Sequence, residues 1–315
     1  MTDAQAIALA ENALGQWGGG TVTRLIANRE NAVCEVVLHD GTRAALRLHR
    51  AGYQTDAAIV SELLWTQHLA EGGFPCPTPI TTTTGALMGE PVFGPRASLV
   101  SWIDAPAIGA MGQQFAGTPE QHCRIYHALG QRAAQMHHLS DTLEPPPGFE
   151  RPAWDIDGLT GDLPLWGRFW TNPALTGAES ALLQETRTAA RAALLAGSWQ
   201  TGLIHADLLQ ENVLGTAEDL SIIDFDDGGT GLRMYDLGTA MVQHTETPHR
   251  ADLAAALCDG YGSGHADLPL FTLLRALASC GWVIPRLAPG DPRQRTYAQR
   301  ALTLARYYMA CEPLG

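Results

Sequence analysis

The chain has 315 residues, 45% of them hydrophobic and 17% charged, with a formal net charge of −13. That length suits one large domain or two lobes with a substantial core, and the acidic balance argues against a general nucleic-acid binder, whose affinity rests on cationic contacts to phosphates. Lysine is absent, so all 20 cations are arginines and a P-loop ending in Gly-Lys-Ser/Thr is excluded.

The first segment, MTDAQAIALAENALGQW, reads as a short amphipathic helix, with Asp3 and Glu11 where a signal peptide would carry basic residues. No window approaches the roughly 18 consecutive apolar residues of a membrane span, so a cytoplasmic protein is expected. Gly18-Gly19-Gly20 reads as a connector, because it lacks the full G-x-G-x-x-G spacing and no helix pattern follows. Residues 21–27, 32–38 and 42–50 are β-branched or alternating runs that predict strands, and Asp40-Gly41 predicts the hairpin turn between the last two. A helix follows over 55–73, capped by Asp56 and stopped by Gly72-Gly73. Residues 75–84 and 96–104 resemble two more strands, which makes a five-stranded sheet with one helix inserted after the third strand.

Beyond Trp102–Pro106 the pattern turns helical. The expected fold class is α+β, with a small β-rich lobe over 1–102 and a larger helical lobe over 103–315. Nucleotides commonly bind in inter-domain clefts of this kind. Helices are predicted over 119–139, 180–197, 249–260, 268–284 and 291–310. Residues 144–173, rich in Pro, Gly and Trp, read as an irregular insertion. Six cysteines (Cys34, Cys76, Cys123, Cys258, Cys280, Cys311) are scattered without a C-x-x-C pair, which indicates reduced thiols rather than a zinc knuckle or disulfide framework.

The chemistry concentrates in residues 203–238, LIHADLLQENVLGTAEDLSIIDFDDGGTGLRMYDLG. His205, Asp207 and Asn212 share one turn-rich loop, and a short hairpin leads to Asp224, Asp226 and Asp227. The apolar pairs Leu203-Ile204, Val213-Leu214 and Ile222-Ile223 anchor the polar residues beside them. A calcium loop does not fit, because Gly228 and Tyr235 occupy places that need a ligand. A metallohydrolase reading of His205-x-Asp207 lacks a second histidine at ligand spacing. Phosphoryl transfer does fit. One carboxylate and one amide, Asp224 and Asn212, can hold magnesium without saturating it, and a separate carboxylate, Asp207, can deprotonate a hydroxyl.

H-A-D-L-L-Q-E-N followed by I-I-D-F-D-D resembles the aminoglycoside phosphotransferase and choline kinase superfamily, a branch of the protein-kinase-like fold, with the homoserine-kinase-like and stress-response-kinase-like enzymes most similar. The resemblance spans about residues 20–285 and agrees with the D-x-x-x-x-N catalytic-loop spacing. It implies ATP and Mg2+ as cofactors, Asp207 as catalytic base, Asn212 and Asp224 as metal ligands, and His205, Asp226 and Asp236 as supporting residues. It further implies a phosphate-covering loop at R-E-N-A-V (29–33) with Asn31, a cation at Arg47 paired with Glu62, and an adenine-contacting hinge at Val100, Ser101, Trp102 and Ile103. Arg47 stands where kinases generally carry lysine: either the whole chain has drifted from Lys to Arg with function kept, which the complete absence of lysine favours, or nucleotide binding has decayed. A small-molecule hydroxyl acceptor is expected: an amino alcohol, a hydroxy amino acid such as homoserine, or an aminoglycoside-like sugar. The aromatic insertion offers Trp154 and Asp155 as an acceptor wall and amine contact. A stress-response-type protein Ser/Thr kinase and a nucleotide-binding pseudokinase are the alternatives.

Overall fold

The computed structural model describes residues 1–29, 31–91, 94–113 and 115–310; Glu30 of the 29–33 loop and Cys311 lie outside the described residues. The chain forms two compact units that alternate along the sequence. The first comprises Met1–Ala105, Thr142–Arg151 and Ser221–Asp226. The second comprises Pro106–Asp141, Pro152–Leu220 and Asp227–Gly315.

In the first unit, helix α1 (Asp3–Leu14) starts at a capping box in which Thr2 and Gln5 satisfy each other's backbone N–H groups. Strands β1 (Gly20–Asn28), β2 (Ala32–Leu38) and β3 (Arg43–Leu48) follow, then helix α2 (Asp56–Glu71), the two-residue strand β4 (Met88–Gly89) and β5 (Ala97–Ser101). All pairings are antiparallel, in the order β1-β2-β3-β5-β4. Because strand side chains alternate between faces, β3 sends Ala44, Leu46 and Leu48 into a core with Ala6, Ala10 and Leu14 of α1. Its other face carries Arg47, aimed at α2.

Two expectations change here. Residues 75–84 do not form a strand. Pro75, Pro77 and Pro79 cannot donate to a ladder, and only a bridge at Pro79↔Val100 and flanking bonds, such as Ile80 N to Leu99 O at 2.8 Å, remain. Met88–Gly89 supplies the fifth strand instead. The cap of α2 is Thr55, whose hydroxyl accepts from Ala58 N at 3.0 Å, while Asp56 begins the helix and pairs with Arg96.

The second unit holds helices α3 (Pro119–Ser140), α4 (Ile156–Thr160), α5 (Gly177–Ala196), α6 (Met234–Met241), α7 (Arg250–Tyr261), α8 (Leu268–Trp282) and α9 (Pro292–Met309). Between α3 and α4 lies β6 (Ala153–Trp154); after α5 come β7 (Thr201–Ile204), β8 (Val213–Thr216), β9 (Asp219–Ile222) and β10 (Gly229–Leu232). β10 pairs parallel with β6 and antiparallel with β7, and β8 with β9 forms a hairpin. α6 begins inside the polar block and was not anticipated. α8 is apolar all round, the pattern of a core helix. One face packs Phe271, Leu274 and Ala278 against Trp154, Leu232 and Tyr235; the other packs Leu273, Leu277 and Cys280 against Ala298, Ala301 and Leu302 of α9. Among the described residues no helix is long and apolar enough to cross a membrane.

Candidate active site

In the first unit, Arg47 on β3 reaches Glu62 on α2. Its Nη1 lies 2.8 Å from Glu62 Oε1 and 3.4 Å from Asp226 Oδ1, and its Nη2 lies 3.1 Å from Asp224 Oδ1. A guanidinium suits this arrangement because its planar fork serves several carboxylates at once. Burial disfavours the Arg47 charge, but Glu62, Asp226 and Asp224 outweigh it and raise its pKa above the usual arginine value. For Glu62, burial pulls the pKa up and the Arg47 and Arg151 charges pull it down; the arginines win. Asp226 behaves oppositely. Burial, with Glu62 and Asp224 nearby, pushes its carboxyl up to about 7 in spite of Arg47.

The loop that carries these acids is fixed from several directions. Arg151 donates to Phe225 O at 3.0 Å and Asp226 O at 2.6 Å. Gln54 donates to Asp226 O at 2.9 Å and to its carboxylate at 3.1 Å. Asn31 Nδ2 donates to Asp226 Oδ2 at 3.3 Å, while Asn31 Oδ1 accepts from Arg50 N. The Phe225 ring meets Trp65 edge-on at 5.1 Å. Asp224 itself sits at φ 66, a left-handed conformation that costs a non-glycine residue on the order of 1 kcal/mol and persists where surroundings enforce it. Of the expected hinge, Val100 and Ser101 end β5, and Arg43 lies 4.7 Å over the Trp102 ring. Ile103 follows in a half-buried stretch.

In the second unit the polar loop hangs from Asp236 on α6, which is 0% exposed. Its Oδ2 accepts from His205 N at 2.9 Å, its Oδ1 from Ala206 N at 2.7 Å, and His137 Nε2 on α3 lies 2.9 Å from Oδ2. These contacts hold Ala206 at φ 64 and present Asp207 next to it. Asp207 N donates to His205 Nδ1 at 3.2 Å. Both carboxylate oxygens of Asp207 are engaged: Oδ1 accepts from Arg275 Nη2 at 2.6 Å, and Oδ2 accepts from Asn212 Nδ2 at 2.8 Å. Burial raises the Asp207 pKa above the ordinary aspartate value; Arg275 opposes the shift and Glu211 adds to it. The result is a fixed carboxylate whose basicity exceeds that of a solvated one.

Asn212 spends its amide hydrogens on Asp207, on the backbone oxygen at 2.9 Å and on Oδ2. Its Oδ1 takes no hydrogen bond among the described residues. A hard cation such as Mg2+ prefers such an oxygen together with a carboxylate and keeps waters or phosphate oxygens in its other positions. Among the described residues no group of three or more His, Cys, Asp or Glu gathers as a self-sufficient metal cage. The Asn212 amide oxygen in this unit and the Asp224 carboxylate in the first are each oxygen donors of the kind that magnesium takes.

Two expected residues serve the fold. Trp154 is 1% exposed; its ring stacks on Tyr235 at 5.2 Å and its Nε1 donates to Asp227 O at 2.8 Å. Asp155 caps α4 by accepting from Gly158 N at 2.7 Å. Neither side chain is presented as a wall for an acceptor. Conversely, Gln54 and Arg151 brace the Asp226 loop in the first unit, and His137 and Arg275 brace the Asp207 loop in the second, none of them marked by the motif. Arg275 had a signal: it is the single charged residue in the apolar helix LPLFTLLRALASCGW.

The sequence profile of the Phosphotransferase enzyme family matches residues 21–307. A protein of Deinococcus radiodurans without an assigned activity is 30% identical, over 78% of this chain and 72% of its own length. A homoserine kinase of Agrobacterium fabrum is 29% identical, over 70% of this chain and 66% of its own length. The chain thus spans about two thirds of the curated relatives it matches. The structure of a microcompartment-associated aminopropanol kinase superposes with a TM-score of 0.82 at 26% identity, covering 98% of this chain and 100% of that one. An amicoumacin kinase in complex with AMP-PNP and Ca2+ shares the fold at a TM-score of 0.74 and 16% identity, over 99% of this chain and 95% of its own.

Proposed function

Because the chain belongs to the Phosphotransferase enzyme family, we propose that it moves the γ-phosphoryl group of ATP to a hydroxyl of a small molecule, with Asp207 as the catalytic base. The observation that carries this reading is the Asp207 carboxylate. It is half-buried and raised in pKa, and it is held by one amide and one guanidinium on a loop pinned by Asp236.

Asp207 orients the acceptor hydroxyl and takes its proton as the bond to phosphorus forms, a role commonly worth about 10²–10⁴ in rate. Arg275 keeps that carboxylate ionised and in one rotamer. Asn212 and Asp224 are the oxygen donors for magnesium, which when bound neutralises charge on the phosphates. Arg47 contacts a phosphate and is oriented by Glu62. Asn31 and Asp226 shape the loops around it, and the backbone of Val100, Ser101, Trp102 and Ile103 takes the adenine. Homoserine kinases and the aminopropanol kinase are named for small alcohols, which favours an acceptor of that size.

The test is ADP release from MgATP against a panel of small alcohols and a mixed protein extract, with wild type and Asp207→Asn. That substitution keeps the size of the side chain and removes the base, and because its amide nitrogen must face the Arg275 or the Asn212 donor, thermal unfolding of both proteins is measured alongside. Acceptor-dependent turnover that falls by about 10²-fold or more in the variant is expected. Equal turnover by both proteins would remove Asp207 from its role, and failure to bind nucleotide would remove the kinase reading altogether.

A further inference from the structure

At one end of its five-stranded sheet the first unit holds a cavity of about 430 Å³. Three stretches of chain meet there: Asn28 and Arg29 where β1 ends, Ala32 where β2 begins, and Leu48, His49 and Arg50 where β3 ends. Ala32 and Leu48 belong to the core packed against α1. Because strand side chains alternate, they line the cavity from the sheet face opposite the one that carries Arg47.

The charge on this wall has one sign. Arg29 and Arg50 are exposed, and among the described residues neither has a carboxylate within ion-pair distance. Other arginines of the same sheet do: Arg24 and Arg43 pair with Glu35, and Arg47 pairs with Glu62. Two unpaired cations in one cavity stand out in a chain with 33 acids against 20 arginines. Asp3, at the start of α1, accepts from Asn28 Nδ2 at 2.8 Å and pairs with neither arginine. The two arginines are also held side by side. Arg29 N donates to Asn31 O at 3.0 Å, and Arg50 N donates to Asn31 Oδ1 at 3.1 Å. One residue thus ties both backbones beside the cavity although their like charges repel.

We propose that this cavity binds the phosphate group of a small molecule between Arg29 and Arg50, at a second site apart from Asp207 and Arg47. Two guanidinium forks suit a dianion with three or more oxygens, whereas a carboxylate would satisfy only one of them. The volume lies within the range of small-molecule sites, roughly 300–1,000 Å³, and Ala32 and Leu48 offer an apolar surface to an organic part. Free phosphate and a phosphate ester share the chemistry that the arginines recognise. The inference stands independently of the kinase reading.

Calorimetric titration with inorganic phosphate and with glycerol 3-phosphate, each with and without saturating MgAMP-PNP, tests it. The wild type should bind at least one probe one-to-one, with or without the nucleotide analogue. Tighter binding of glycerol 3-phosphate would identify an ester as the ligand, and equal or tighter binding of inorganic phosphate the free anion. Arg29→Ser and Arg50→Ser should each weaken binding by about tenfold or more, and the double variant should abolish it. Arg50→Lys should retain part. Both positions are exposed, so the Tm of each variant without ligand should stay close to that of the wild type. Arg306→Ser, at an exposed arginine of α9, should bind as the wild type does. Absence of binding by both probes would overturn the proposal, as would binding that survives in the double variant. Equal loss in Arg306→Ser would reduce it to general charge. Displacement of the probe by MgAMP-PNP would also overturn it and assign the arginines to the nucleotide. Failure of MgAMP-PNP itself to bind would end the kinase reading and leave this site to be decided by the arginine variants.

Discussion

Arg47 brings a guanidinium, not an ammonium, among three carboxylates. Its fork divides the contacts between two nitrogens, Nη1 to Glu62 and Asp226 and Nη2 to Asp224, whereas an ammonium would have to serve all three from one point. Arg47→Lys should therefore raise KM for MgATP several-fold, and Arg47→Met by about tenfold or more, as read in steady-state kinetics or a nucleotide titration. An unchanged KM in Arg47→Met would remove the residue from nucleotide binding. Asp236 poses a different demand, because it accepts from two backbone N–H groups and meets His137. Asp236→Asn turns one acceptor into a donor facing a donor. It should cost about 2–3 kcal/mol and lower kcat more than it changes the KM values, measured by thermal unfolding and kinetics on the same preparation. The sequence made Asp207, Asn212 and Asp236 legible, since their spacing is set by one continuous loop and helix. His137 was not, because its partner lies 99 residues away and only the packing of α3 beside α6 joins them. Arg275 was hidden for the same reason, although its isolation in an apolar helix marked it.

At the level of elements, strands and helices were legible where the period was clean. The alternation in β3 put Arg47 on the face opposite the α1 core. The segment 75–84 misled because β-branched threonines suggested a strand, while its prolines removed the donors a ladder requires. Helix α6 escaped notice because its residues are dominated by the motif that contains them. The pair α3 and α7 depends on small residues more than on apolar pattern. A Cβ on Gly130 would meet Leu257 O at 2.1 Å, and one on Gly260 would meet His127 O at 2.0 Å. Both obstacles are backbone atoms, so neither helix can yield locally. Gly130→Ala and Gly260→Ala should each destabilise the fold by about 1–3 kcal/mol despite the better helix propensity of alanine. Calorimetry would check this, and a raised Tm in either variant would contradict the close approach.

For the molecule as a whole, pH tolerance is set in part by two buried histidines, one per unit. His49 bonds Ser98 Oγ at 2.9 Å; burial and then Arg47 hold its pKa down at about 4, although Glu62 and Asp56 pull the other way. Burial, followed by His122, His249 and Arg250, holds His244 at about 4 as well. Both values lie below the 6.5 of an unfolded histidine, so the unfolded chain binds more protons between pH 6.5 and 4. Stability from these residues is complete above pH 6.5 and declines as the pH falls toward 4, by on the order of 3 kcal/mol each. Asp226, raised to about 7, works the other way over the same range, because the folded chain takes up its proton first, so the histidine contribution is read from the difference between wild type and a His244 variant in the pH dependence of the denaturant midpoint. His244→Gln should flatten part of that slope; an identical slope in the variant would exclude His244 as a cause.

The alternation of the two units along the chain also decides what can be cut or transplanted. A gene fragment ending at Ala105 would encode the five-stranded sheet but not Arg151, Phe225 or Asp226, which belong to the same unit by contact and come from two later stretches. Trp65 would lose its edge-on partner and Arg47 two of its three carboxylates. The leading 105 residues are for that reason not a portable cassette. Shuffling between relatives should exchange the whole coding length or single side chains, with crossover points kept out of residues 142–151 and 221–226.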